Sequence, residues 1–292
     1  MGWKIIEIED SQSLHLFLNN LVIFKDDIKI TIPICDIDVL LINNYKLKIT
    51  IQLINALCNA NVLTIICDNY HLPSANILPI IGNFNTLKIV ENQINWSHHF
   101  KADLWLQIIK NKIYNQQELT KMLFKNDELC KQFDLLIKDI KAYDISNREG
   151  HASKIYWHAL YGLDFKRHND DYCNKLLNYG YTILRSYVTR SIIKKGLDPR
   201  ISIFHKSFHN YFALASDLME PFRILIDFEV YKIMQTKEVN FYEHKTRLIE
   251  CFNNKIFINQ TKQFVNNGID IYIDAIIKQN KLPLVEIDYG NL

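Results

Sequence analysis

Near residue 85 the spacing of the apolar residues changes, and with it the kind of element the chain can build. Before that point Trp3 to Glu9 partly alternates, and short apolar runs follow at 14–18, 21–24, 28–34 and 39–42. Asn19-Asn20 and Lys25-Asp26-Asp27 separate them. Runs this short, broken by turn-forming Asn and Asp at intervals of about ten residues, predict strands of a small sandwich or curled sheet. One helix is expected over 50–60, followed by a buried strand over 62–67. Past residue 85 the apolar residues recur at three- and four-residue spacing, which predicts helices with a buried stripe. The stretches are 96–124, 127–144, 147–161, 172–195, 203–213, 216–235 and 265–279. Gly162, Gly196 with Pro199, and Gly268 are the expected stops or breaks. The expected fold class is α+β: a small β-rich, sandwich-like N-terminal domain over 1–84 and a larger all-α C-terminal domain over 85–292.

Composition closes off several classes. With 48% hydrophobic and 23% charged residues in 292, the chain is globular and long enough for a sizeable core. The six Cys residues form no CxxC pair, so a zinc ribbon, a redox pair or a disulfide framework has no support. No P-loop, GxGxxG or GxSxG occurs, which argues against ATP-driven and hydride-transfer chemistry. The greasiest stretch, 30–42, is broken by Asp36 and Asp38 and is too short to span a bilayer. No basic segment precedes an apolar run at the start, so no signal peptide is expected. Cytoplasmic residence with reduced thiols is the expectation.

The net charge of +2 hides a division. Residues 1–90 carry net −2, 91–146 balance, 147–247 carry +5 and 248–292 carry −1. All seven Arg residues (Arg148, Arg167, Arg185, Arg190, Arg200, Arg223 and Arg247) lie in the basic window. An AT-rich genome explains why Arg is scarce beside Lys, but not where the Arg residues sit. A local basic region points to a polyanion partner, although such an excess also fits a plain solvated face.

Three acid or imidazole positions in that window stand out: Glu149 near a helix start, His205 after the Gly-Leu-Asp-Pro-Arg turn, and Glu220 in Asp217-Leu-Met-Glu220-Pro-Phe-Arg223. Asp217 and Glu220, three apart, would share a helix face. Two carboxylates and an imidazole could hold Mg²⁺ or Mn²⁺ with positions left for water and phosphate. Each residue also has an ordinary reading. The acids could pair with Arg223, Glu149 could favour a helix N-terminus, and His205 could be a core histidine. The His205/His209 pair has zinc-like spacing, but Lys206 stands where a zincin needs Glu.

Taken together, these motifs resemble one family. Asn174-x-x-Leu177-Asn178-Tyr179-Gly180-Tyr181-x-Ile183-Leu184-Arg185 is similar to a helix of the CRISPR-associated spacer-acquisition integrases. The Gly-Leu-Asp-Pro-Arg segment ending at His205, the Asp217 to Arg223 segment followed by Asp227, and the helix bearing Glu149 match in the same order. The resemblance spans essentially the whole chain, and Glu at 220 looks like the type II version.

The resemblance implies a metal-dependent DNA endonuclease and integrase of antiviral defence. It would insert short double-stranded fragments into CRISPR repeat DNA by 3′-hydroxyl transesterification. It implies Glu149, His205 and Glu220 as catalytic metal ligands for Mg²⁺ or Mn²⁺, with Asp217 orienting a ligand or a metal water. Lys206 and Arg223 would contact the scissile phosphate. Arg167, Arg185, Arg190 and Arg200 are phosphate-binding candidates, or else structural partners of acids such as Asp164 or Asp198. It further implies a homodimer, two of which are bridged by a small ferredoxin-like partner protein, and no membrane role. The rival readings are a non-catalytic DNA-binding scaffold and a relative that integrates mobile elements.

Overall fold

Two tight hairpins set the register of the N-terminal strands. Between β2 (Ser13–Phe17) and β3 (Asn20–Lys25) the loop is two residues, Leu18 and Asn19, with φ of 46° and 59°. Positive φ at both positions is the turn whose twist matches paired strands. The Asn20 side chain fastens it by donating to the carbonyls of Phe17 and Leu18. β4 (Ile28–Pro33) adds to β3, and the short β6 (Lys48–Ile49) adds to β2, completing a sheet of order β4-β3-β2-β6. A second sheet runs β1 (Lys4–Ile8), β5 (Ile37–Ile42), β7 (Leu63–Cys67), β8 (Pro73–Ile77), with the first three parallel and the last antiparallel. β5 is buried along its whole length, as a central strand of such a sheet should be. The helix α1 (Ile51–Asn59) is capped by the Thr50 hydroxyl. Leu53 and Leu57 of α1 join Leu14, Leu21 and Ile23 of one sheet and Ile8, Leu40 and Ile42 of the other in a shared core. The sandwich-like expectation holds, while β6 and β8 carry no clear signal in the sequence.

The computed structural model describes residues 2–80, 82–205, 209–236 and 238–290. The chain divides into two units: Met1–Thr86 with Ile193–Gly196, and Leu87–Ile192 with Leu197–Leu292. The four-residue return of the chain to the first unit is packed closely. A Cβ on Gly82 would lie 2.2 Å from the Ile193 carbonyl oxygen, so only glycine fits there. The Asn83 amide reaches the Lys194 carbonyl at 3.4 Å.

The second unit is mostly helical: α2 (Thr86–Ile94), α3 (His98–Phe124), α4 (Asp127–Asp139), α5 (Arg148–Tyr161), α6 (Tyr172–Lys194), α7 (Ala213–Leu218), α8 (Ile224–Thr236), α9 (Phe241–Glu250) and α10 (Val265–Ile277). It is not all-α as expected. β9 (Lys255–Ile258), β10 (Thr261–Phe264) and β11 (Val285–Ile287) form a three-stranded sheet of order β10-β9-β11. Asn259 and Gln260, with φ of 47° and 65°, make another two-residue hairpin turn. Gly268 does not break α10. It lies inside the helix where a Cβ would meet Ile256 Cδ1 at 2.7 Å, so it lets α10 pack down on β9.

α3 is the unit's central rod, and much of what it buries is polar: Asn111, Asn115, Gln116, Gln117 and Thr120. Buried amides favour partners, and the pairing of Asn111, Asn115 and Gln117 organises the unit. Asn111 donates to the Val285 carbonyl (2.8 Å) and accepts from the Val285 amide (2.9 Å), standing in for a strand partner of β11. Asn115 donates to the Pro221 carbonyl (2.9 Å). No helix among the described residues is long and apolar enough to cross a membrane.

Two further expectations change. Of the helix expected over 203–213, the described residues 203–205 and 209–212 are not helical, and residues 206–208 lie outside the described residues. The 216–235 helix is broken between α7 and α8 by a 3₁₀ turn over Glu220–Phe222. Pro221 has no amide proton and crowds the carbonyl four residues back, so an α-helix cannot run through it. Asp217 and Glu220 therefore do not share a helix face.

Candidate active site

The break at Pro221 sends the two acids to different tasks. Asp217 is fully buried and turns to the 203–205 loop. Its carboxylate accepts the amides of Ile203 (2.8 Å), Phe204 (2.9 Å) and His205 (3.3 Å), and sits 2.5 Å from His205 Nδ1. These bonds replace the ones a helix would have given the loop. They also raise the His205 pKa above its usual value, chiefly through the Asp217 hydrogen bond. With Nδ1 engaged, Nε2 is the nitrogen left for a ligand. The ring is half exposed rather than a core histidine. It stands edge-on to Trp105 and Phe204, whose rings stack at 4.3 Å.

Glu220 points the other way and is buried at 6% exposure. Its Oε1 is 2.8 Å from Arg223 Nη2 and its Oε2 is 2.7 Å from Lys112 Nζ. Glu149 comes to the same ammonium from the first turn of α5, with Oε1 2.5 Å from Lys112 Nζ and 3.1 Å from the Ser153 hydroxyl. The α5 start is fixed by Asp144, whose carboxylate accepts the Arg148 and Glu149 amides at 2.8 Å each. Burial alone would lift the Glu149 pKa, but the Lys112 charge and hydrogen bond, with the Ser153 hydroxyl and the Arg223 charge, together hold the carboxyl below the usual range. Burial likewise opposes the charge on Lys112, yet Glu220 and Glu149 keep its pKa raised.

Glu149 and Glu220, 71 residues apart in the chain, thus aim oxygens at one cationic point. The Glu220 Oε2 contact is ionic without hydrogen-bond geometry, which leaves that buried oxygen without a directed donor. Two carboxylates, one of them under-satisfied, are a donor set suited to a hard divalent cation. The third expected ligand is not gathered with them. Among the described residues no three His, Cys, Asp or Glu side chains form a group that could hold a metal ion. The trio Glu149, His205 and Glu220 is therefore not preassembled: Lys112 compensates the two carboxylates, and His205 is drawn to Asp217.

Beside the carboxylates opens a cavity of about 810 Å³ lined by cationic Lys154, Lys166, Arg167 and Arg223 and by aromatic Trp157 and Phe165. Its floor is Asp227, which accepts hydroxyl bonds from Tyr156 (3.0 Å) and Tyr181. Burial pushes the Asp227 carboxyl up to about 6, against the opposing pull of the two hydroxyls and Arg223. α8 carries Asp227 to this depth because α6 offers Gly180 opposite Ile226, where a Cβ would meet the Ile226 methyl at 2.4 Å. That contact explains the Gly in the Asn-Tyr-Gly-Tyr run.

The arginines separate clearly. Arg167 lines the cavity, fixed by Asn174 and Asn178 at 2.9 Å each and not by Asp164. Arg223 lies over the Tyr181 ring at 4.7 Å with its Nε unpartnered. Arg185 is half-buried over Phe212, and burial lowers its pKa. Arg190 corrects an expectation: it is 7% exposed, with its guanidinium over Tyr187, so it is an internal residue rather than a phosphate contact. Arg200 is clamped by Asp198 through two side-chain bonds of 2.9 and 2.6 Å, the structural alternative foreseen for it. Lys206 lies outside the described residues. Lys112 was missed by sequence reasoning because a single Lys on a long helix carries no signal of its own.

The chain has counterparts among known proteins. The family model described as "CRISPR associated protein Cas1" matches residues 7–258. The CRISPR-associated endonuclease Cas1 of Neisseria meningitidis is 34% identical over 235 residues, covering 80% of this chain and 77% of that protein. Among solved structures, a Cas1 protein from Thermotoga maritima superposes with a TM-score of 0.74 at 17% identity, covering 94% of this chain and 96% of the other. A casposase bound to an integration product gives 0.72 at 18% identity, covering 95% and 90%. A chain of a Cas6-RT-Cas1–Cas2 complex gives 0.72 at 18% identity, covering 96% and 35%. At these identities the structural likenesses speak to the fold.

Proposed function

Because this chain belongs to the CRISPR associated protein Cas1 family, we propose that it is a divalent-metal-dependent DNA endonuclease and integrase of CRISPR adaptation. The observation that carries this reading is the convergence of Glu149 and Glu220 on one cationic point at the edge of a cation-lined cavity. Glu149, Glu220 and the Nε2 of His205 would hold Mg²⁺ or Mn²⁺, with Asp217 fixing the imidazole from behind. When bound, the cation neutralises charge on the scissile phosphate and acidifies the attacking hydroxyl.

The protein's own groups do the rest. Arg167 and Arg223 present guanidinium forks suited to phosphate oxygens. Asp217 keeps His205 in one tautomer. The Trp157 and Phe165 rings give a base or sugar an apolar wall. The 3′-hydroxyl oxygen of a short fragment forms a bond to a repeat phosphorus while the strand's own 3′-oxygen leaves and takes up a proton. One phosphodiester replaces another, so no nucleotide triphosphate is consumed. Double-stranded DNA ends and repeat DNA are the substrates, and the working assembly is a homodimer bridged to a second by a small ferredoxin-like partner.

The test joins a labelled fragment to a supercoiled repeat-bearing plasmid with purified protein and its partner. Joined product is expected with Mg²⁺ or Mn²⁺ and not with EDTA, and is expected to vanish in Glu220→Ala and His205→Ala while both variants stay folded. Full activity in either variant would refute the site. DNA binding without any joining would favour the scaffold reading. Joining directed to the ends of a mobile element instead of the repeat would favour the mobile-element reading.

A further inference from the structure

The amine of Lys112 stands where the proposed cation has to go. Nζ lies 2.5 Å from Glu149 Oε1 and 2.7 Å from Glu220 Oε2, and the side chain is 12% exposed. Its backbone has little freedom to withdraw. The neighbours Asn111 and Asn115 tie α3 to Val285 and to the Pro221 carbonyl, next to Glu220 itself. Only the four-carbon stem can move.

We propose that Lys112 is an internal counter-ion that occupies the cation position between Glu149 and Glu220 until a divalent metal displaces it into the adjoining cavity. The proposal rests on reading Glu149 and Glu220 as metal ligands. Two carboxylates from separate elements that face one point repel each other unless a positive charge stands between them. The other groups do not supply it there: Arg223 engages only the far oxygen of Glu220, and Ser153 is neutral. The displaced amine has somewhere to go, because Lys112 itself lines the 810 Å³ cavity. A lysine suits a reversible plug, being a compact point charge on a flexible stem, whereas an arginine fork would grip both carboxylates. Metal entry then exchanges one positive charge for two, so the site binds metal more weakly than its carboxylates alone would. In exchange the metal-free protein keeps the pair in place.

The test uses the full chain stripped of metal, with Mn²⁺ titrated calorimetrically and thermal unfolding followed in EDTA and in Mn²⁺. Lys112→Met is expected to bind Mn²⁺ at least about ten-fold more tightly, the effect of about 1.4 kcal/mol. It is also expected to melt lower in EDTA and to gain more from Mn²⁺ than the unsubstituted protein does. Lys112→Arg, which keeps a charge that is harder to dislodge, is expected to bind Mn²⁺ more weakly and needs no destabilised variant to fold. Equal or weaker Mn²⁺ binding by Lys112→Met, or unchanged binding by Lys112→Arg, overturns the proposal. Glu220→Gln separates the two layers. It should abolish the Mn²⁺ heat, and if the heat persists undiminished the ligand reading itself has failed and the role of Lys112 falls with it.

Discussion

Asp227 should make the protein more stable in mild acid than its other carboxylates would allow, and Asp227→Asn should remove that bias. In the folded protein burial lifts this carboxyl to about 6, against about 3.9 in an unfolded chain. A folded pKa above the unfolded one means the native state holds the proton more readily. The stability contributed by the protonated group is therefore complete below about pH 4 and lost as pH rises to about 6. A shift of roughly two pKa units corresponds to about 3 kcal/mol. Asn is neutral throughout and can still meet both hydroxyls, its oxygen accepting from one tyrosine and its amide donating to the other, at a pH-independent cost of about 1 kcal/mol. The difference in unfolding free energy between variant and unsubstituted protein should then move by about 2 kcal/mol in the variant's favour between pH 4 and 6.5, most of the full shift. Urea unfolding at steps of half a pH unit in EDTA measures this. Tryptophan fluorescence is a suitable probe because Trp96, Trp105 and Trp157 all lie in the second unit. Two parallel stability profiles across that range would refute the assignment of a raised Asp227 pKa.

Asp217→Asn should leave the fold intact but turn an amide towards His205 Nδ1, forcing the ring proton onto Nε2. Joining activity is expected to fall about 10–100-fold, and NMR titration should show the His205 pKa dropping from its raised value. A titration curve that does not move would contradict the role given to Asp217. Asn111→Ala strips two hydrogen bonds from a buried Val285 backbone and should cost about 2–4 kcal/mol. Limited proteolysis should then cut near residues 281–284 sooner, and an unchanged cleavage pattern would argue against the anchoring of β11 by α3.

The β-to-α division was legible because the period of apolar residues changes within a few positions, and such patterning is local. What stayed hidden depends on partners far away in sequence. The 203–213 stretch has helical spacing, but a buried Asp217 takes the amides of Ile203, Phe204 and His205. The 216–235 pattern looks continuous, yet Pro221 breaks it and so separates two acids that spacing placed together. Glu149, His205 and Glu220 were found through motif order, and the structure places two of them at one point. Lys112 and the Asp227 tyrosine network become visible only when α3, α5, α6 and α8 are packed. Of the arginines, charge alone could not tell Arg167 at the cavity from Arg190 in the interior, because both read as one basic residue in a basic window.

The return of Ile193–Gly196 to the N-terminal unit has a consequence for how the protein is born. Gly82 and Asn83 meet partners that lie some 110 residues downstream. At ribosomal speeds of about 5–20 residues per second, the nascent β-unit waits roughly 5–20 s for the Ile193 and Lys194 contacts that finish it. During that interval its edge at residues 82–83 is uncovered. The last turn of α6 then acts as a closing stitch, so the small unit is completed only after the first half of the larger one, Leu87–Ile192, has been synthesised.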